Sequence, residues 1–313
     1  MSLLDLLNSQ RKTIFLDGAM GTQLGEAGLE MGGQNCVTHP EAVLAIHEKY
    51  AACGIDLLIT NTLTMNRVNL EAHHVDVDTR EVNLAGARLA RQAARGGQYV
   101  LGDMSSTGKL LKPYGPLEEA EAFAAFVEQA ALLAEGGVDG FIVETMTDLR
   151  EALCAVRAVH EASDLPVLAS VSFKTAGNGG RTIMGNTARD CASSLAEAGA
   201  CVVGANCGEL DPLEMAEVVA LMKAAVEVPI IAQPNAGKVQ LVDGRAVYGM
   251  SPTDFANGLK ACVEAGARLI GGCCGTSPAH IRAAVELLAP STAQGAPRLR
   301  PRPRGCRPAG RAR

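Results

Sequence analysis

Eight short apolar runs, each followed by a longer stretch rich in Ala, Leu and Glu, constrain this chain more than any other feature. The runs are TIFLDG (13–18), DLLITNT (56–62), YVLGDM (99–104), GFIVET (140–145), PVLASVSF (166–173), CVVGANC (201–207), PIIAQPN (229–235) and RLIGGCC (268–274). A strand that is apolar on both faces needs cover on both sides, and intervening helices supply it, so the pattern reads as a parallel sheet. Helical candidates include 40–52, 79–94, 117–135, 188–198, 212–225 and 252–265. Pro40, Pro212 and Pro252 sit where a first helical turn accepts proline, and Thr187, Asp211 and Ser251 read as N-caps. Gly54, Gly136 and Gly199 read as helix stops. Eight such units predict an α/β fold, a single-domain (β/α)8 TIM barrel over residues 1–290, with a doubly wound open sheet as the alternative.

The residues at the strand ends point to a site. Barrels of this kind carry their chemistry at the C-terminal ends of the strands. Here the runs finish in Asp17, Asn61 with Thr62, Asp103, Glu144, Asn206 with Cys207, Asn235, and Cys273 with Cys274, while the fifth ends in Ser172-Phe173-Lys174. Side chains able to bind or react thus gather on one rim. They read as a single pocket.

The most informative stretch is GGCCGT (271–276). Neighbouring residues inside a strand point to opposite faces, so Cys273 and Cys274 can aim at one point only where the strand has ended. The flanking Gly271, Gly272 and Gly275 give the backbone that freedom. GANCG (204–208) offers a third thiol, Cys207, also at a strand end. Three thiolates suit Zn2+, which accepts soft ligands tetrahedrally and keeps a fourth position open when catalytic. The same vicinal pair would also suit small residues in a barrel wall, or a redox couple. A thiol substrate entering an open zinc position becomes a thiolate, the nucleophilic form of sulfur. Asp17 and Glu144 could then hold an ammonium group, and the turn DGAMGT (17–22), with Thr62, a carboxylate. For Asp17 a capping role in the turn is the competing reading.

Composition closes off other classes. Residues 298–313 carry seven of the arginines and no acid, so with −6 overall the body of the chain stands at −13. An acidic body argues against nucleic acid as a partner. The Pro/Arg-rich tail (291–313) lacks hydrophobic periodicity and is expected to be disordered. No apolar run approaches the ~20 residues needed to cross a bilayer, and the opening MSLLDLLNSQRK lacks the order of a signal peptide. A cytoplasmic setting is expected, where ten cysteines stay free or bind metal. Cys53, Cys154, Cys191 and Cys262 lie in Ala-rich helical stretches and read as small core residues.

The set DGAMGT (17–22), TNT (60–62), ET (144–145), GANCG (204–208), PNAG (234–237) and GGCCGT (271–276) resembles the homocysteine S-methyltransferase family. It is similar above all to the N-terminal homocysteine-binding module of cobalamin-dependent methionine synthase, over roughly residues 10–290. The resemblance implies a (β/α)8 barrel with zinc on Cys207, Cys273 and Cys274. It implies that Asp17, Gly18, Thr62 and Glu144 contact the amino-acid end of homocysteine. It also implies that Asn235 lies beside the zinc and fills its open position when substrate is absent. The implied reaction methylates homocysteine to methionine. Leu63 departs from the family, which often has an aromatic residue there. The chain contains no DxHxxG segment of the kind that ligates cobalt, and no second barrel for a folate. The implied donor is therefore methylcobalamin carried by a separate corrinoid protein, with a small onium donor, S-methylmethionine or betaine, as the alternative. The loop SSTGKLLKPYGP (105–116) is the candidate donor-facing rim.

Two other readings compete. Lys174 at a strand end could form a Schiff base in an aldolase-like barrel. Alternatively the zinc is structural, with Cys36 as a fourth ligand, and the chain is a non-catalytic zinc- and homocysteine-binding protein.

Overall fold

The computed structural model describes residues 2–242 and 245–289, and the Pro/Arg-rich tail lies outside the described residues. In chain order the strands are β1 (Ile14–Phe15), β2 (Leu57–Ile59), β3 (Tyr99–Met104), β4 (Gly140–Met146) and β5 (Val167–Val171). They continue as β6 (Val202–Asn206), β7 (Ile230–Gln233), β8 (Gln240–Val242), β9 (Arg245–Val247) and β10 (Ala267–Ile270). Eight of them pair in parallel in the order β1-β10-β7-β6-β5-β4-β3-β2, and a parallel bridge between Leu16 and Leu57 brings the two edges together. The eight apolar runs are these eight strands, and the architecture is a (β/α)8 barrel. β8 and β9 form a separate antiparallel hairpin.

Side chains stitch the closing seam. Phe15 N–H donates to Asp56 Oδ2 at 2.9 Å, and Ile59 N–H donates to Asp17 Oδ2 at the same distance. Two buried carboxylates thus stand in for ladder carbonyls between β1 and β2, where backbone pairing is shortest. One oxygen of Asp17 is committed to the wall before any ligand is considered.

The outer helices start as their sequences dictate. Thr187, Asp211 and Ser251 each accept a backbone N–H from the third helical residue, at 3.0, 2.9 and 3.2 Å. Pro40, Pro212 and Pro252 open their helices. Gly54 and Gly199 are left-handed, as helix stops require, but after the helix Glu119–Glu135 that role falls to Gly137 (φ +86) and not Gly136, which is still helical. No helix among the described residues is long and apolar enough to cross a membrane.

The barrel interior changes character along its axis. Near the N-terminal end Ile14, Leu16, Leu57, Leu101, Ile142, Leu168, Val202, Ile231 and Leu269 form one buried layer. The helix Leu3–Asn8 plugs that end with Leu3, Leu6 and Leu7. Advancing two residues keeps a side chain on the same face of its strand. That step replaces Leu101 by Asp103, Ile142 by Glu144, Leu168 by Ser170 and Ile231 by Gln233, all buried. The floor is therefore oil and the storey above it is polar.

One buried group outside the barrel sets a measurable pH response. His47, on the helix Pro40–Ala51, is fully buried with neither ring nitrogen hydrogen-bonded, and burial lowers its pKa to about 4. An unfolded histidine titrates near ~6.5. A base whose folded pKa is depressed contributes stability that is present above 6.5 and lost as pH falls toward 4. The loss is expected to reach about 3 kcal/mol. Urea titrations of wild type and His47→Leu across that window should diverge by that amount, with wild type falling faster.

Candidate metal and substrate site

At the C-terminal rim the chain turns three thiols toward one point. Cys207 follows β6 with φ +53, a left-handed conformation that costs a non-glycine residue about 1 kcal/mol, and Gly208 repeats it at φ +70. Cys207 N–H donates to Gln233 O (3.1 Å), Cys273 N–H to Pro234 O (2.9 Å), and Cys274 O accepts from Ala236 N–H (2.9 Å). The loops after β6, β7 and β10 are thereby tied to one another. Gly275 (φ +78) lets the last of these turn, and a Cβ there would sit 2.2 Å from that of Tyr248.

The Sγ atoms of Cys207, Cys273 and Cys274 all lie within 4.8 Å of one another, and Cys207 and Cys274 are 3.8 Å apart. Zinc–sulfur bonds of about 2.3 Å in a tetrahedron place thiolates about 3.8 Å apart, so the donor set and its spacing fit a zinc ion. Hydrogen bonds from the Cys207 and Cys273 thiols hold the Cys274 sulfur far below the ordinary thiol range. Burial and crowding of this kind favour a dication that can neutralise the remaining charge.

Beside the sulfurs lies a cavity of about 290 Å³, reached by Asp103, Glu144 and Gln233 from the strands, by Thr60 just past β2, and by Gly18 and its neighbours up to Thr22; Asp17 and Asn235 stand behind this lining. Burial pushes the Glu144 carboxyl up to about 7, a hydrogen bond with Gln233 opposes the rise, and the Cys274 sulfur adds to it. Burial also raises Asp17 and Asp103 well above the carboxylate range, and Glu144 pushes both further. Asp17 Oδ1, Asp103 Oδ1, Glu144 Oε2 and Asn235 Oδ1 are buried without a hydrogen-bond partner. Asn235 donates from Nδ2 to Gly208 O at 2.9 Å, beside Cys207.

Glu144 is delivered by a distortion. The β4–β5 register shifts between Val143 and Met146, and Thr145 takes φ +60, a strained value for a β-branched residue. Asn206 holds it there: its Oδ1 accepts from Thr145 N–H (2.9 Å) and from Ser170 Oγ (2.5 Å), and its Nδ2 donates to Thr145 Oγ1 (2.7 Å).

Other predicted residues stand elsewhere. Thr62 is buried in the wall, its hydroxyl donating to Asp103 O (2.8 Å) and paired with Thr60 Oγ1 (2.7 Å), and it is Thr60 that reaches the cavity. Cys36 is buried with its thiol on Asn61 O (3.3 Å) and is not among the converging sulfurs. Lys174 is exposed and outside the cavity lining. The loop 105–116 is anchored by buried Glu151, which accepts from Thr107 N–H (2.8 Å), Thr107 Oγ1 (2.6 Å) and Ser106 Oγ (3.0 Å).

Three thiols and buried acids gathered at the C-terminal ends of the strands place the site where barrels of the TIM class carry their chemistry. Residues 14–288 match the sequence profile of homocysteine S-methyltransferases, and the chain belongs to that methyltransferase family. It is 34% identical to methionine synthase of Mycobacterium tuberculosis over 301 residues, 90% of this chain and 25% of that protein. It is 32% identical to betaine–homocysteine S-methyltransferase 1 of Bos taurus over 314 residues, 92% of this chain and 75% of that one. The chain thus spans about a quarter of the methionine synthases it matches. In fold it is similar to the crystal structure of the metallated homocysteine methyltransferase MmuM from Escherichia coli, with TM-score 0.73, 21% identity, and 91% and 99% of the two chains covered.

Proposed function

We propose that this chain transfers a methyl group to the thiol of homocysteine, forming methionine, with zinc held by Cys207, Cys273 and Cys274. The observation that carries this reading is the meeting of three sulfurs, distant in sequence, at the edge of a cavity lined by buried acids. When bound, zinc supplies the acidity that turns the substrate's thiol into a thiolate at neutral pH. The chain's own residues orient that thiol. Asp17 and Glu144 face the substrate's ammonium, and the turn 17–22 with Gly18 receives its carboxylate, where no side chain caps the helix starting at Gly21. Thr62 serves from the wall by fixing the strand ends. Asn235, with a buried oxygen lacking a partner and its amide on Gly208 O beside Cys207, would stand next to a zinc held by the three cysteines before substrate arrives. All nine cysteines among the described residues are free, which supports a reducing, cytoplasmic setting.

For the donor, a methyl-corrinoid is favoured over a small onium compound. Quaternary cations are commonly recognised by cages of several aromatic rings, whereas one ring, that of Tyr248 with its hydroxyl on Cys274, stands beside the sulfurs and Leu63 lines the cavity where the family often has an aromatic residue. A donor that brings its own binding surface needs no such cage. The relationship to betaine–homocysteine S-methyltransferase keeps the onium alternative in the test. The test offers zinc-loaded protein and homocysteine methylcobalamin, S-methylmethionine, betaine and methyl-folate in parallel. Methionine from methylcobalamin alone is expected. Turnover with betaine or S-methylmethionine but not the corrinoid would reverse the donor assignment, and full activity after zinc removal would end the metal assignment. X-ray absorption at the zinc edge should show one more sulfur with homocysteine than without; four sulfurs throughout would indicate a structural site.

A further inference from the structure

Thr276, the last residue of GGCCGT, is fully buried and lines no part of the cavity. Its hydroxyl accepts from Ala19 N–H at 2.9 Å and donates to Cys273 O at 2.7 Å. That carbonyl belongs to the peptide between Cys273 and Cys274. One oxygen thereby joins the turn 17–22 to the loop that carries two of the three converging thiols. A hydroxyl accepts and donates at once, which a valine of the same shape cannot do.

Further contacts fuse the same two segments. Tyr50, fully buried on the helix Pro40–Ala51, sets its hydroxyl between Ala19 O (2.9 Å) and Thr276 O (3.1 Å). Gly272 N–H donates to Asp17 O (3.0 Å), and Gly275 N–H to Thr22 Oγ1 (3.3 Å). The packing leaves no slack: a Cβ on Gly18 or on Gly272 would each lie 2.6 Å from Thr276 Oγ1. Gly18 and Ala19 reach the cavity from one side of this unit, Gly272 and Cys273 from the other. Two segments so joined order together. An ion that fixes the Cys273–Cys274 peptide removes freedom that the turn would otherwise lose when a ligand binds there. By linkage the gain is mutual.

We propose that Thr276, backed by Tyr50, is a positioning residue that couples the metal loop to the turn 17–22, so that bound zinc tightens the hold on the amino-acid end of the substrate and the substrate tightens the hold on zinc. The proposal rests on the homocysteine reading above, which puts the carboxylate at that turn. Neither side chain lines the cavity, so their effect reaches the substrate through the segments they join.

The experiment titrates zinc-free and zinc-loaded protein calorimetrically with L-2-aminobutanoate, which is homocysteine without its sulfur and has no thiol to reach the ion. Zinc is expected to strengthen its binding about 10-fold in wild type and in Thr276→Ser, which keeps the hydroxyl, but less than about twofold in Thr276→Val. Tyr50→Phe should fall between, at about threefold. Zinc affinity, read by chelator competition, should rise with 2-aminobutanoate by the same factors. A residue that only stabilised the fold would shift both affinities and leave their ratio alone. A wild-type ratio in Thr276→Val therefore overturns the coupling; should that variant not fold, a wild-type ratio in Tyr50→Phe does so. Wild type that binds 2-aminobutanoate equally well with and without zinc overturns the coupling alone. Wild type that binds neither 2-aminobutanoate nor homocysteine overturns the homocysteine reading, and the coupling with it.

Discussion

Cys274→Ser is expected to lose its zinc and, with it, methionine formation by at least ~10³-fold. The ground for the size is twofold. A free thiol with pKa near ~8.5 is only a few per cent ionised at pH 7, which alone costs ~30-fold in nucleophile. Losing the fixed position of the sulfur against the methyl donor accounts for the rest, since placement of reacting atoms can supply several kcal/mol. Serine keeps the size but offers a hydroxyl that stays protonated, so the tetrahedral thiolate set is broken. Cys207→Ser and Cys273→Ser should behave alike. The control is Cys262→Ser: that thiol is buried in the helical layer with its Sγ on Pro212 O at 3.3 Å, so it should cost stability and leave metal content untouched. Metal content by plasma emission and methionine by mass spectrometry decide the matter, and a zinc-free Cys274→Ser enzyme with wild-type turnover would remove the basis of the mechanism.

The barrel was legible because its strands are apolar on both faces and its helices announce their starts. The convergence of Cys207 with Cys273 and Cys274 was legible for a related reason: each falls where an apolar run ends, and strand ends in a closed barrel share one rim. The same logic reaches less far at TNT (60–62). β2 ends at Ile59, so alternation no longer fixes which residue of the turn faces inward. Thr60 took the cavity position and Thr62 the wall.

Asp103 shows the opposite case. It was visible as a strand-end acid, and counting two residues on from Leu101 would have placed it above the floor beside Glu144. Its value lay in pairing it with the same step in β4, which no local window provides. The plug Leu3–Asn8 was hidden because a helix of six residues before the first strand resembles any amphipathic chain start. The hairpin β8–β9 was hidden because each of its strands is only three residues long, too short for alternation to show. Strain at Thr145 and Cys207 had no sequence signal, since both are residues that normally avoid left-handed backbone.

That strain leads to the second large effect. Asn206→Ala is expected to weaken homocysteine binding about 100-fold and to destabilise the fold by about 3 kcal/mol or more. Asn206 is fully buried, and its loss leaves Thr145 N–H, Thr145 Oγ1 and Ser170 Oγ without partners. Each unpaired buried group costs about 1–3 kcal/mol, and the left-handed Thr145 needs such bonds to persist against relaxation costs of the same order. Once Thr145 relaxes, Glu144 moves with it, because the two are adjacent on the same bulge. Asn206 Nδ2 also lies 3.9 Å from Cys273 Sγ, so zinc affinity should fall as well, by about 10-fold in keeping with outer contacts to metal ligands. Asn206→Asp separates the two effects: it retains the acceptor for Thr145 N–H and Ser170 Oγ but sets a carboxylate beside the Cys273 sulfur. Substrate affinity should recover further than zinc affinity in that variant. A homocysteine Kd within twofold of wild type in folded Asn206→Ala would show that Glu144 holds its place without the clamp.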